Sequence, residues 1–139
     1  MQTLKEINKI LDGEFFASTN VAIKNISIDT RTLQPGDLYI ALIGENTDGH
    51  KYIEQAKEKG AAAVVVSSEP NCDISYIKVI DTLDALAALA KHKRNMHAVT
   101  AVAITGSCGK TTTRCMIQSI LSRVAPTLAS KKSYNNNCT

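Results

Sequence analysis

A-V-T-A-V-A-I-T-G-S-C-G-K-T-T-T, residues 98–113, begins as an apolar β-branched run with Val99, Val102 and Ile104. It breaks at Thr105 into a loop bracketed by Gly106 and Gly109, then opens a helical pattern at Lys110. A strand that hands over to a helix through such a loop is a ready anion site. The glycines let the backbone turn its N–H groups inward, and the helix start presents unsatisfied donors and the positive end of its dipole. Lys110 adds a full charge within reach of β- and γ-phosphates, and the Thr111 hydroxyl suits a Mg²⁺ ion. Thr105, Gly106, Ser107, Cys108, Gly109, Lys110, Thr111 and Thr112 are therefore the candidate nucleotide-binding residues, with Lys110 the candidate catalytic group and Thr111 the candidate metal ligand. The general phosphate-loop pattern starts with a glycine where this chain has Ile104, so the loop is the shorter T-G-x-x-G-K-T form.

Outward from this segment, composition narrows the function classes. The 139 residues are 44% hydrophobic, enough for a real core. A net charge of +3, with two Phe, four Tyr and no Trp, offers neither a strong electrostatic surface nor stacking platforms for nucleic acid. Four cysteines (Cys72, Cys108, Cys115, Cys138) show no paired C-x-x-C spacing, so a zinc knuckle or disulfide framework is not expected. A reducing, cytoplasmic setting is expected, since residues 1–12 read as charged and amphipathic rather than as a leader and no apolar run reaches membrane-span length.

Taken in order, Thr3 caps a short helix with Leu4, Ile7, Ile10 and Leu11 on one face, ended by Asp12-Gly13. Residues 21–28 alternate as one or two strands, kinked around Asn25, and lead into Asp29-Thr30-Arg31. After the Pro35-Gly36 turn pair, residues 38–43 form a second strand that delivers Gly44-Glu45-Asn46-Thr47-Asp48-Gly49-His50. A helix over 51–59 with Ile53 and Ala56 inward, a buried strand over 61–67, a loop holding Pro70 and a strand over 76–80 follow. This alternation predicts an α/β layer. Val79-Ile80-Asp81 resembles an acidic strand end, but Asp81 or Thr82 is better placed to cap the next helix, over 83–94, with Leu83, Leu86, Leu89 and Ala90 inward. The helix over 110–123 carries Ile117, Ile120, Leu121 and Val124 on one stripe, and residues 127–129 read as a short strand.

One β-α unit cannot form a complete nucleotide-binding sheet, which needs several parallel strands covered on both faces. Asp84 is also the last acidic residue, so no downstream carboxylate completes a Mg²⁺-nucleotide site. The chain is thus read as a portion of a larger enzyme or as a domain that binds without turnover. An incomplete sheet also predicts an open apolar edge beyond residue 98 and a tendency to dimerise or swap.

With these residues assembled, the chain resembles the Mur ligases of peptidoglycan synthesis, most of all the member that adds D-Ala-D-Ala to a UDP-N-acetylmuramoyl tripeptide. The resemblance rests on I-S-I-D-T-R-T-L-Q-P-G-D-L-Y-I-A-L-I-G-E-N-T-D-G-H (26–50), G-A-A-A-V-V-V (60–66), I-D-T-L-D-A-L-A-A-L-A (80–90), T-G-S-C-G-K-T (105–111) and Tyr134-Asn135-Asn136. Sister ligases share the D-S/T-R and D-G-H elements.

The resemblance implies an α/β fold in which a small N-terminal α/β UDP-substrate-binding domain (1–82) and a connecting helix (83–97) precede the first β-α unit of a P-loop ATPase domain (98–139). It implies ATP and Mg²⁺ as cofactors and an acyl-phosphate route to the amide, with D-Ala-D-Ala received by a C-terminal domain absent from this chain. The isolated chain is expected to lack ligase turnover. By matching positions, Ile28, Thr30, Arg31, Glu45, Asn46, Thr47 and Asp48 would contact the UDP portion and Asn136 the nucleotide side. Asp29 with Arg31 also reads as a local ion pair, and Asp48-Gly49-His50 as a turn. The segment after Asn136 departs from the family at Cys138-Thr139, where an Ile-Gly pair is expected. Cys108, beside Lys110 at a helix start, is expected to be the most reactive thiol. The alternatives are a UDP-sugar-binding module with a vestigial phosphate loop, or a sister ligase. An unrelated P-loop NTPase is disfavoured by the short loop and the ordered matches upstream.

Overall fold

Residues 63–66, Ala-Val-Val-Val, are fully buried, and such a run can lie only inside a sheet covered on both faces. The computed structural model, which describes residues 2–17, 20–44 and 47–130, places them as the middle strand of a five-stranded sheet. The strands in chain order are β1 (Gln2–Thr3), β2 (Glu14–Phe16), β3 (Ala22–Ile23), β4 (Ile26–Ser27), β5 (Leu38–Ile40), β6 (Ala63–Val66) and β7 (Tyr76–Lys78). The large sheet runs β2-β7-β6-β5-β4, with β4 to β7 parallel and β2 antiparallel at the edge, while β1 and β3 pair separately. The helices are α1 (Leu4–Leu11), α2 (Ile53–Glu58), preceded by a 3₁₀ turn at Gly49–Tyr52, α3 (Thr82–Asn95) and α4 (Lys110–Leu121).

The pleat divides the core. Leu38, Ile40, Ala63, Val65 and Ile77 face one side with Leu4 and Ile7 of α1 and Ala85 and Leu89 of α3. Tyr39, Ala41, Val64 and Val66 face the other, against Ile53 and Ala56 of α2. Side chains alternating along each strand thus give helix, sheet and helix layers, as the alternation in the sequence predicts. The one or two strands expected over 21–28 are two, separated at Lys24-Asn25 into different sheets, because the backbone turns where Lys24 N–H bonds Gly36 O and Leu38 N–H bonds Asn25 O.

The caps follow from sequence. Thr3 accepts from Glu6 N–H while the Glu6 carboxylate accepts from Thr3 N–H, a reciprocal box. At the other end, Asp12 rather than Gly13 adopts the left-handed conformation, φ 50°. Asp81 caps α3 by accepting from Leu83 N–H at 2.6 Å and Asp84 N–H at 3.1 Å. Replacing Asp81 with alanine is expected to lower stability by about 1 kcal/mol in a denaturant titration.

The chain forms two compact units, Met1–Ala98 and Val99–Thr139. Helix α3 lies wholly in the first, with Ala85 inward in place of the expected Leu83, which is 37% exposed. In the second unit the expected strands over 99–104 and 127–129 are not formed among the described residues, so the β-α unit expected there reduces to its loop and helix. A strand exists only by pairing, and the described residues of this unit form no paired strand. The stripe on α4 is accordingly uncovered: Ile120 is 65% exposed and no residue of that helix is buried. No helix among the described residues is long and apolar enough to cross a membrane.

Candidate functional site

Parallel strands β4, β5 and β6 all end at the same edge of the sheet, and at that carboxyl edge loops have backbone groups free to meet ligands. The loop after β4 carries Ile28, Thr30 and Arg31. Ile28 is 45% exposed, whereas Thr30 is buried and turned towards α2. Its hydroxyl donates to Gln55 Oε1 at 2.5 Å, and its carbonyl accepts from Lys59 Nζ at 2.7 Å. The expected substrate contact Thr30 is therefore a latch between loop and helix. Arg31 projects outward, with its guanidinium forked on Asp29 at 2.7–3.1 Å.

Hydrogen bonds from the Arg31 side chain, then from its backbone N–H, lower the Asp29 carboxyl from 3.8 to about 2. A depressed folded value favours the native state above the unfolded carboxylate's range and loses that contribution as pH falls through the folded value. Thermal melts of Asp29→Asn are thus expected to show a shallower loss of stability between about pH 4 and pH 2 than the unaltered protein. Identical slopes would remove the role assigned to this pair.

The loop after β5 ends in a tighter construction. Gly49 N–H bonds Leu42 O at 2.8 Å, and a bridge pairs Ile43 with Asp48. The buried Tyr39 hydroxyl donates to Gly49 O at 3.0 Å, and burial pushes its phenol up to about 12. Asp48 Oδ1 accepts from His50 N–H at 2.9 Å and lies 2.7 Å from Nδ1. These bonds, the backbone one foremost, hold the Asp48 carboxyl below its ordinary value. On the far side of the ring, His50 Nε2 accepts from Ser67 N–H at 3.0 Å and lies 3.2 Å from Ser67 Oγ. His50 and Ser67 were not among the candidate site residues; the short Asp48-Gly49-His50 spacing signals the turn, but nothing local signals Ser67. Thr47 is exposed; Glu45, Asn46 and Asn136 lie outside the described residues.

In the second unit, Gly109 (φ 78°) stands immediately before α4, and Lys110 Nζ donates back to Gly106 O, closing a ring around the loop. Helix geometry leaves the N–H groups of Lys110, Thr111 and Thr112 without intrahelical acceptors, while Thr113 N–H bonds Gly109 O at 2.9 Å. Thr105, Ser107, Cys108, Thr111 and Thr112 are exposed. Lys110, Thr111 and Arg114 border a cleft of about 520 Å³ with Thr100, Ile104 and Gln118. Cys108 and Cys115 are both exposed, so accessibility does not separate their reactivities as the loop position alone suggests.

The family model described as "Mur ligase family, catalytic domain" matches residues 22–94, the region that holds both loops of the first unit. UDP-N-acetylmuramoyl-tripeptide--D-alanyl-D-alanine ligase of Escherichia coli is 38% identical over 135 residues, 97% of this chain and 30% of that relative. A crystal structure of MurF from Acinetobacter baumannii superposes with a TM-score of 0.79 at 34% identity, covering 89% of this chain and 28% of that one. MurF ligase from Thermotoga maritima, solved in complex with ADP, gives 0.65 at 31% identity over 73% of this chain and 24% of that one. The chain thus spans less than a third of the length of these relatives. Since the family model accounts for more than half of its residues, the chain belongs to the Mur ligase family.

Proposed function

We propose that this chain is the substrate-holding and phosphate-binding portion of a ligase that uses ATP to join D-Ala-D-Ala to a UDP-N-acetylmuramoyl tripeptide in peptidoglycan synthesis. The observation that supports it most is the single matched stretch, 97% of this chain, in which the two loops of the first unit and the glycine loop of the second fall together.

In this reading residues 1–82 form the domain that holds the UDP end, 83–97 lead onward from it while Ala85 and Leu89 pack into its core, and 98–139 open the ATP-binding domain. Arg31, whose fork is engaged by Asp29, would turn it onto two diphosphate oxygens, and Ile28, Thr47 and Asp48, with Glu45 and Asn46, would contact the UDP portion. Thr30 serves by fixing the loop through Gln55 and Lys59. Lys110 releases Gly106 O and turns onto the β- and γ-phosphates, while the first-turn N–H groups of α4 receive the remaining oxygens.

The phosphate arm fits these residues. For Mg²⁺ the second unit's described residues offer the Thr111 hydroxyl, and no group of three His, Cys, Asp or Glu is gathered among the described residues. Phosphate oxygens and water would complete the shell, the common arrangement for this ion. Mg²⁺ there would neutralise charge developing on the γ-phosphate as the substrate carboxylate attacks it. The amine of D-Ala-D-Ala would be brought by a C-terminal domain, so this chain by itself forms no amide. A cytoplasmic setting belongs to the proposal.

Calorimetric titration tests it. The UDP-N-acetylmuramoyl tripeptide is expected to saturate one site and MgATP a second, each with its own heat. Heat from neither ligand, or binding of UDP-glucose as tightly as of the muramoyl nucleotide, would overturn the reading.

A further inference from the structure

We propose that His50 is a positioning residue for the substrate loop: its ring fastens Asp48 to the end of β6 and thereby sets the affinity for the UDP portion. This rests on the reading that Thr47 and Asp48 border that portion. The geometry is a tie in two directions. Nε2 lies 3.0 Å from Ser67 N–H, which can only donate, so this nitrogen is the acceptor and the ring proton sits on Nδ1. Nδ1 in turn faces Asp48 Oδ1 at 2.7 Å, the oxygen that also accepts the His50 N–H. A carboxylate on the substrate loop is thus linked through the His50 side chain to a backbone donor seventeen residues beyond His50, across α2.

The surroundings make this link matter. The His50 side chain is only 13% exposed, so it cannot exchange these partners for bulk water at little cost. Its neighbour Gly49 is pressed onto the backbone of Ala41 and Leu42 and capped by the Tyr39 hydroxyl, so the chain on the C-terminal side of Asp48 is already fixed. Gly44 N–H bonds Thr47 O at 2.8 Å and the Ile43–Asp48 bridge holds the backbone, so what is left to fix is the direction of the Asp48 carboxylate, which the His50 N–H grips from one side and the His50 ring from the other. A loop ordered in advance does not lose entropy on binding, which raises affinity without adding a contact.

The test uses the full chain. Nitrogen-15 spectra of the imidazoles are expected to show His50 as the Nδ1–H tautomer; an Nε2–H ring overturns the proposal. His50→Ala is expected to weaken UDP binding by about tenfold, while His50→Gln, which keeps an acceptor for Ser67 N–H, recovers part of the loss. Ser67→Ala, which keeps that N–H, is expected to bind within twofold of the unaltered protein. A folded His50→Ala protein that binds UDP as well as the unaltered one overturns the positioning role alone. Failure of the unaltered protein to bind UDP overturns the reading of the site and the role with it. If His50→Ala does not fold, the tautomer and the affinity of His50→Gln decide: an Nε2–H ring, or a glutamine variant weakened as much as tenfold, counts against it.

Discussion

Gly49→Ala is expected to destabilise the first unit by about 3 kcal/mol, a fall of roughly 15 °C in its melting temperature. A methyl group there would stand 2.8 Å from both N and O of Leu42 and 2.9 Å from the Ala41 carbonyl carbon. These are backbone atoms at the end of β5, and they cannot step aside as a flexible side chain would. Relief requires moving the 3₁₀ turn outward, which breaks the Gly49 N–H bond to Leu42 O and withdraws its carbonyl from Tyr39. Gly44→Ala in the same loop is the control. Its nearest neighbour would be Thr47 Oγ1 at 3.5 Å, an ordinary contact, and a change within about 0.5 kcal/mol is expected. Equal stability of the two variants in a denaturant titration would contradict the close packing of turn on strand.

Lys110→Ala is expected to weaken MgATP binding by roughly a hundredfold, the effect of removing one charge-assisted donor to phosphate. Lys110 is half-buried, and its ammonium is already folded over the loop onto Gly106 O. It therefore starts close to where the phosphates would lie, and the cost of recruiting it is small. UDP affinity and the melting of the first unit are expected to be unchanged, since Lys110 belongs to the second unit. Titration of both ligands against the variant measures this. A MgATP affinity within threefold of the unaltered protein would remove Lys110 from the phosphate site.

The parts of the fold that were legible are those decided by burial. Val64, Val65 and Val66 could be read as a covered strand because no half-exposed position tolerates such a run, and Ile53 with Ala56 fixed the inner face of α2. The edge strand β2 was not legible. Three exposed residues give no alternation to read, and they are held by pairing with β7 and by the Phe16–Tyr76 stack at 4.6 Å. The strand expected over 99–104 illustrates the reverse case: Val99, Val102 and Ile104 carry β propensity, but pairing is a property of two segments. In the loop after β4, Arg31 is exposed and paired with Asp29, the local ion pair that their spacing suggests. The burial of Thr30 was not legible, because its partners Gln55, on α2, and Lys59, just past the end of α2, lie more than twenty residues away. The His50–Ser67 link was hidden for the same reason.

Amide chemical-shift mapping of the full chain with the UDP-N-acetylmuramoyl tripeptide tests the assignment of the two units most directly. That assignment requires shifts at Ile28, Thr30, Arg31, Thr47 and Asp48 with Gly106 to Thr112 unmoved, and the converse pattern when MgATP is added instead. Shifts from the muramoyl nucleotide confined to Gly106 to Thr112, or absent from the first unit, would contradict it.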